Sequence, residues 1–288
     1  VRDVSAASLR RGNTMTIGVI VPRLTDTVMA MLYEAIVKAC ARTGRFAIVA
    51  TTEDNPEADR VAAESLLNRG VDGLILSTAR DDDTFPDELN ERGVPYVLAL
   101  RTDHHSLSAV GDDRLGGYLA TRHLLDLGHQ RIGVIAGPDY ASSATGRVEG
   151  YKQALAEASI SVDPALIVPS TFGIQSGAEA VQTLMALDCR PTAIFAVNDN
   201  TAIGALSALN KRGLSVPDDI SLVGYNDIPI VSHLSTPLTT LRVPFDQIAS
   251  HALELLTQTT APRENRILVS APTLIPRKST ARFLGASD

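Results

Sequence analysis

Tryptophan is absent, aromatic residues make up 4% of the chain, and two cysteines occur in 288 residues. So few cysteines argue against a disulfide framework and against a cysteine-based metal site. Cys40 and Cys189 stand far apart in apolar-periodic segments and read as small core residues of a reducing compartment. No apolar run approaches the roughly 18 residues that a membrane span needs. Val1 to Asn13 is polar and lacks the apolar stretch of a signal peptide, so export is not expected and the cytoplasm is. Positive charge is also in short supply. The formal net charge is −7, so the body of the protein is not a polyanion binder. Against that acidic body the cluster Arg2, Arg10 and Arg11 stands out.

Catalytic signatures are missing too. No G-x-G-x-x-G follows the first candidate strand, where "GVIVPRL" places a proline instead. There is no Walker loop, no H-E-x-x-H, no C-x-x-C and no G-x-S-x-G. His104–His105 has no third ligand nearby and reads as a surface pair. Asp81–Asp83 reads as a solvated loop with helix-capping duties rather than a Mg²⁺ site. The expectation is a protein that is not an enzyme and uses no cofactor and no metal.

What is present is a repeated alternation of short apolar runs and helical patterns. Apolar residues reach 44%, and the length suits two lobes rather than one core. The pattern predicts strands at 16–21, 46–51, 73–77, 96–100 and 109–111, with helices at 28–43, 56–69 and 86–92. The second half repeats the scheme, with strands at 131–136, 166–169, 193–197 and 221–225 and helices at 115–127, 146–158, 173–187 and 201–212. Unbroken runs such as "IGVIV", "GLIL" and "AIFAV" suit sheets covered by helices on both faces. The fold class is therefore α/β, with two doubly wound parallel-sheet lobes. Gly70, Gly93, Gly128 and Gly213 each follow a helical run, where a left-handed residue ends a helix at little cost.

Ligands of open α/β sheets bind at strand C-termini. Polar residues stand there: Ser77 and Thr78 after "GLIL", Arg101 after "YVLAL", Asn198 and Asp199 after "AIFAV", and Asn226 and Asp227 after "SLVGY". Arg147 is expected to open a helix after "GPDYASSATG". Amide, carboxylate and guanidinium groups of this kind suit a hydroxyl-rich small molecule. Equally, Asp199 and Asp227 suit helix caps.

The segments "SLRRGNTMTIGVIVP", "LLDLGHQRIGVIAGP", "ATGRVEGYKQAL", "TAIFAVNDNTAIGALSALNKRGLSVPDDISLVGYND" and "PLTTLRVPFDQIASHALELL" resemble, in order and spacing, the lactose/galactose repressor (LacI/GalR) family of bacterial transcription factors. The likeness spans essentially the whole chain. It implies a type I periplasmic-binding-protein-like core joined by three crossings, with the helix-turn-helix missing. The implied parts are a hinge segment at 1–14, an N-terminal lobe of 15–111 plus 243–264, and a C-terminal lobe of 112–242 plus 265–288. The resemblance makes "VSAASLRRG" the hinge that folds on operator DNA, with Leu9 wedged between base steps of the minor groove. Arg10 and Arg11 would then help to neutralise phosphates.

The same resemblance assigns effector contacts. Arg147 matches the arginine that contacts the effector, Asp227 the aspartate that takes sugar hydroxyls, and Asn198 with Asp199 the "ND" pair. Phe172 falls where an aromatic stacks on the ligand. Ser143 and Arg101 fall at further contact positions, and Ser77, read from its place at a strand end, is expected to join them. Asp26, Thr27, Val28 and Met29 replace an aromatic-rich stretch, which weakens stacking on a pyranose. Leu100 replaces an aspartate, so the effector departs from a typical hexose.

The leading expectation is a transcriptional regulator of repressor type that binds a small sugar, polyol or nucleoside. It is expected to be a homodimer, to act on operator DNA through the full-length protein, and to make no membrane contact. Apolar residues Val28, Met31, Leu32, Ala35, Ile36 and Ala39 give one helix more apolar surface than a single sheet face needs. The alternatives are a sugar-binding receptor of an ABC-type transporter and a sugar-processing enzyme. The hinge-like segment argues against the first, and the lack of paired acid and base groups against the second.

Overall fold

The computed structural model describes residues 14–258 and 266–285. Leu9, Arg10 and Arg11 of the expected hinge lie outside the described residues. In chain order the first elements are β1 (Thr16–Val21), α1 (Thr27–Arg42), β2 (Phe46–Thr51), α2 (Pro56–Asn68), β3 (Gly73–Leu76), α3 (Phe85–Glu91), β4 (Tyr96–Ala99) and β5 (Ser108–Gly111). There follow α4 (Asp113–Asp126), β6 (Ile132–Ala136), α5 (Ser142–Glu157), β7 (Ile167–Pro169), α6 (Ile174–Met185), β8 (Ala193–Ala196), α7 (Asp199–Lys211) and β9 (Ser221–Asn226). The chain continues with β10 (Thr239–Arg242), α8 (Phe245–Thr257), β11 (Ile267–Ser270) and β12 (Thr273–Ile275).

The chain divides into two compact units. One runs to Gly111 and takes in Pro244–Ser270; the other comprises Asp112–Val243 and the chain from Ala271 onward. Among the described residues each unit holds one six-stranded sheet. The first has the order β11-β5-β4-β3-β1-β2 and the second β12-β10-β9-β8-β6-β7. Every neighbouring pair is parallel except β12, which runs antiparallel to β10. A third crossing after residue 264 was expected. Instead Ile267 registers with Ser108 in a parallel pair, so β11 completes the first sheet and the crossing follows Ser270.

The helices begin and end where their chemistry allows. Asp26, Asn55 and Asn198 cap α1, α2 and α7 by accepting from backbone N–H groups of the first turn. Gly70, Gly93, Gly128 and Gly213 take positive φ after α2, α3, α4 and α7, as the sequence predicts. Helix α5 begins at Ser142, four residues ahead of expectation, and Arg147 falls in its second turn rather than at its start.

Two expectations about apolar residues need correction. Cys40 is buried but Cys189 is exposed, because α6 stops at Met185 and Cys189 lies in the turn beyond it. The apolar stripe of α1 is mostly core: Val28, Leu32, Ala35, Ile36 and Ala39 are buried, packed against the first sheet and α8, and Met31 is half-buried. Exposed apolar side chains of the first unit include Val37 on α1, but the most exposed are Phe46 on the edge strand β2 and Val61 on α2, with Ile48 beside them on β2.

Candidate functional site

Within each unit the first five strands follow the order 2-1-3-4-5, which puts a topological switch point between the first and third. In the second unit that point lies between β6 and β8. Arg147 reaches across it: its Nη1 donates to the carbonyl of Val197, just past β8, over 2.6 Å. Its Nε donates to Asp113 Oδ1 over 2.8 Å. Its guanidinium stands 3.8 Å from the centroid of the Tyr225 ring in β9. Arg147 is thus held on three sides, by α4, β8 and β9. Burial pushes the Asp113 carboxyl up to about 6, against the pull of Arg147.

Ser143 lies one turn before Arg147 on α5 and is buried. The Phe172 ring rests against Gly137, the residue after β6, so tightly that a Cβ there would come within 2.8 Å of it. Asn198 Oδ1 accepts from the Thr201 N–H and its Nδ2 donates to the Phe172 carbonyl, which ties the β8 end to the Phe172 loop. Ser143, Arg147, Phe172 and Asn198 therefore gather around the ends of β6 and β8.

Asp199, expected as an effector contact, is engaged by the protein itself. It is fully buried; Oδ2 accepts from the Ile228 N–H and Oδ1 from the Thr240 hydroxyl. It braces α7 against the segment after β9 and against β10, and burial pushes its carboxyl up to about 7. Asp227 caps no helix. It has a left-handed backbone (φ 57°) and accepts from Arg242 Nε over 2.7 Å and from Arg277 Nη2 over 2.6 Å.

In the first unit the matching switch point lies between β1 and β3. Ser77 donates its hydroxyl to the Ile20 carbonyl across it, with Met29 Sδ 3.6 Å away. Asp26 caps α1 through the Val28 N–H, and Val28 and Met29 are buried in the first turn of that helix. Arg101, past β4, is 4% exposed and forms a two-point ion pair with Asp54 at 2.8 and 3.0 Å. Asp59, in the first turn of α2, is also buried, and burial lifts its carboxyl to about 6 while the nearby Thr52 and Thr78 hydroxyls pull the other way.

Sequence reading missed Asp113, Tyr225, Asp54, Arg242 and Arg277, the partners that hold Arg147, Arg101 and Asp227 in place. The doublet Asp112–Asp113 was visible, but nothing local says that its second member meets an arginine. Among the described residues no cluster of three or more histidine, cysteine or acidic groups has metal-site geometry. No described helix is long and apolar enough to cross a membrane.

A family model described as a periplasmic binding protein-like domain matches residues 121–280. The ribose operon repressor of Haemophilus influenzae is 35% identical over 280 residues, 95% of this chain and 83% of that protein. The HTH-type transcriptional repressor PurR of Photobacterium profundum is 33% identical over 279 residues, 95% of this chain and 84% of that one. Among solved structures, the transcriptional regulator CelR–cellobiose complex matches with a TM-score of 0.86 at 28% identity, covering 96% of this chain and 89% of that one. A LacI family regulator from Enterococcus faecium with bound ribose matches with a TM-score of 0.80 at 29% identity, covering 93% of this chain and 99% of that one. With the α/β plan of both units and the ordered sequence segments, these matches show that the chain belongs to the lactose/galactose repressor (LacI/GalR) family of transcriptional regulators.

Proposed function

We propose that this chain is the effector-sensing part of a cytoplasmic transcriptional repressor, and that a small sugar-like molecule binds at the strand C-termini around Arg147. The observation that carries this reading is Arg147 itself. A guanidinium fixed by Asp113, Tyr225 and the Val197 carbonyl at a switch point is a prearranged donor for a polar ligand. Ser143, Phe172, Asn198 and Asp227 complete the set in the second unit. Asp26, Val28, Met29, Ser77 and Arg101 form the corresponding set in the first. Effector binding then changes affinity for operator DNA, which Leu9, Arg10 and Arg11 would help to grip in the full-length protein. Linkage makes the coupling reciprocal: the factor by which effector changes DNA affinity is the factor by which DNA changes effector affinity.

We also infer a homodimer. Its support is the edge strand β2, which carries exposed Phe46 and Ile48 beside exposed Val61 on α2, the kind of apolar edge that soluble proteins cover. Sedimentation at micromolar concentration tests it, and a monomer throughout would refute it.

The ligand site is tested by a thermal-shift screen of sugars, polyols and nucleosides, followed by titration calorimetry of the compound that binds. Arg147→Ala should cost about 2–3 kcal/mol of affinity, since hydrogen bonds to charged groups lie at the upper end of the usual range. That is about a 30- to 150-fold loss. If Arg147→Ala and Asp227→Ala both bind the compound as well as the parent does, the site is wrong.

A further inference from the structure

At the strand ends of the second unit, the carboxylates are already engaged by the protein and guanidinium donors are left over. Both carboxylate oxygens of Asp199 are engaged by the Ile228 N–H and the Thr240 hydroxyl. Asn198 Oδ1 accepts from Thr201. Both oxygens of Asp227 are engaged by arginines, Oδ2 by Arg242 and Oδ1 by Arg277. Each of these oxygens already accepts from the protein, although a carboxylate oxygen keeps a second lone pair, and Asn226 Oδ1 at the end of β9 is buried without a hydrogen-bond partner.

The donors carry a surplus of charge. One carboxylate, Asp227, stands between two guanidinium groups, so one positive charge there has no counter-charge of its own. Arg277 is fixed from behind by its Nη1, which donates to the Leu238 carbonyl over 2.7 Å. The Arg242 side chain is 59% exposed, and among the described residues its only hydrogen bond is the one from Nε. Both Nη groups of Arg242 therefore remain available. Arg242 registers with Asn226 across the β9–β10 pair, next to Tyr225 on which Arg147 lies, so this charge belongs to the same end of the same sheet.

A second feature points the same way. Helix α5 opens at Ala141, whose methyl side chain cannot cap it. Such an end favours anionic oxygen. Ser143, in that first turn, is 6% exposed. One turn on, at i+4 on the same face, stands Arg147.

We propose that the effector is anionic: a polyhydroxylated molecule bearing a carboxylate or phosphate that docks on Arg242 and Arg277 beside Asp227, with the Ser143 end of α5 as a further donor. This rests on the reading that the effector binds at these strand ends. A planar guanidinium suits either group, because each presents two oxygens to the fork of N–H donors.

The test is titration calorimetry on the full chain with two matched sets: glucose, glucuronate and glucose 6-phosphate; and ribose, ribonate and ribose 5-phosphate. At least one anion should bind tenfold or more tightly than its neutral parent, about 1.4 kcal/mol. The preference should weaken as salt is raised. Glucuronate and ribonate on one side, and the two phosphates on the other, tell which acid group is read. Arg242→Gln should cut the anion-to-neutral ratio at least tenfold, and Arg242→Lys, which keeps the charge, should retain part of it. Arg242 is exposed enough for both variants to fold, and their melting curves check this. The proposal is overturned if no anion binds, if a neutral parent matches every anion, or if the ratio is the same in Arg242→Gln. Arg147→Ala separates the two readings. A neutral sugar weakened by Arg147→Ala leaves the site standing and removes the anion. An anion whose binding survives both Arg147→Ala and Arg242→Gln removes the site as well.

Discussion

A methyl group on Gly117 would stand 1.9 Å from the carbonyl oxygen of Arg147. The contact is reciprocal one turn away, where a Cβ on Gly150 would stand 2.0 Å from the carbonyl of Arg114. Helices α4 and α5 thus touch backbone to backbone, and the depth of that contact sets where Arg147 sits relative to Asp113. Gly117→Ala must push the two helices apart. Overpacking of this kind costs about 1–3 kcal/mol, and more where backbone rather than side chain must yield. The expected outcome is a lower melting temperature together with weaker effector binding. Arg122→Ala, at an exposed position of the same helix, should change neither by much. Normal effector affinity in a destabilised Gly117→Ala would show that α4 does not position Arg147.

Arg101 and Asp54 form the corresponding fixed pair of the first unit, with the guanidinium 4% exposed. Removing one partner of a buried pair strands the other charge, at a cost of about 3–5 kcal/mol, whereas removing both often costs less. Asp54→Ala should therefore lower urea stability more than the double variant Asp54→Ala/Arg101→Leu does. A double variant less stable than Asp54→Ala would mean that Arg101 contributes mainly through packing.

The ordering of strands and helices was legible because fully buried parallel strands such as "GVIVP" and "AIFAV" announce themselves as unbroken apolar runs. Legibility failed beyond Tyr225, where the pattern assigned no element although three strands and the helix α8 follow among the described residues. β10 reads "TTLR" and β12 reads "TLI", too short and too polar for periodicity to register. At the site, Asp227 could be placed past a strand end from sequence alone, and Arg147 on the helix that follows β6, though not in the turn it occupies. Their partners could not. Asp113 is 34 residues from Arg147, Asp54 is 47 from Arg101, and Arg277 is 50 from Asp227. Composition offers many acids and bases, and only the sheet order decides which of them meet.

His129 holds the C-terminal segment to the second unit. Its Nδ1 faces the Thr192 hydroxyl at 2.9 Å, and its Nε2 faces the Ser221 hydroxyl at 3.0 Å and the Ala281 carbonyl at 3.1 Å. The ring also lies against Phe283, with centroids 5.5 Å apart. His129→Ala should cost about 2–4 kcal/mol, from the cavity and from the stranded hydroxyls. Burial lowers the imidazole pKa. The neutral form is therefore favoured in the folded state, and its contribution is present above the ordinary histidine pKa of about 6.5 and lost as pH falls below it. Amide hydrogen exchange of Ala281 and Phe283, corrected for intrinsic rate, should rise below about pH 6 in the parent. Exchange that is independent of pH there would remove His129 as the clasp.

Asp199 titrates with the opposite sign. Burial raises its carboxyl to about 7, against the Thr240 hydroxyl and the Ile228 N–H, which favour the charged form. An unfolded aspartate titrates near 4. The folded state therefore binds this proton more tightly than the unfolded one, so the stabilising contribution is complete below about pH 4 and lost as pH rises through about 7. Asp199→Asn keeps the shape without the charge. Its Oδ1 can accept from the Ile228 N–H, and its Nδ2 can donate to the Thr240 hydroxyl, which accepts as readily as it donates. Relative to the parent, Asp199→Asn should gain stability as pH rises from 5 to 8, by an amount on the order of 3 kcal/mol for a shift of this size. Asp59 and Asp113, both lifted by burial to about 6, are common to both proteins and drop out of the difference, as do the histidines. Urea unfolding of both proteins at pH 5, 6.5 and 8 reads it directly. A difference that stays constant over the three pH values would show that Asp199 is ionised throughout, and that the Thr240 and Ile228 donors outweigh its burial.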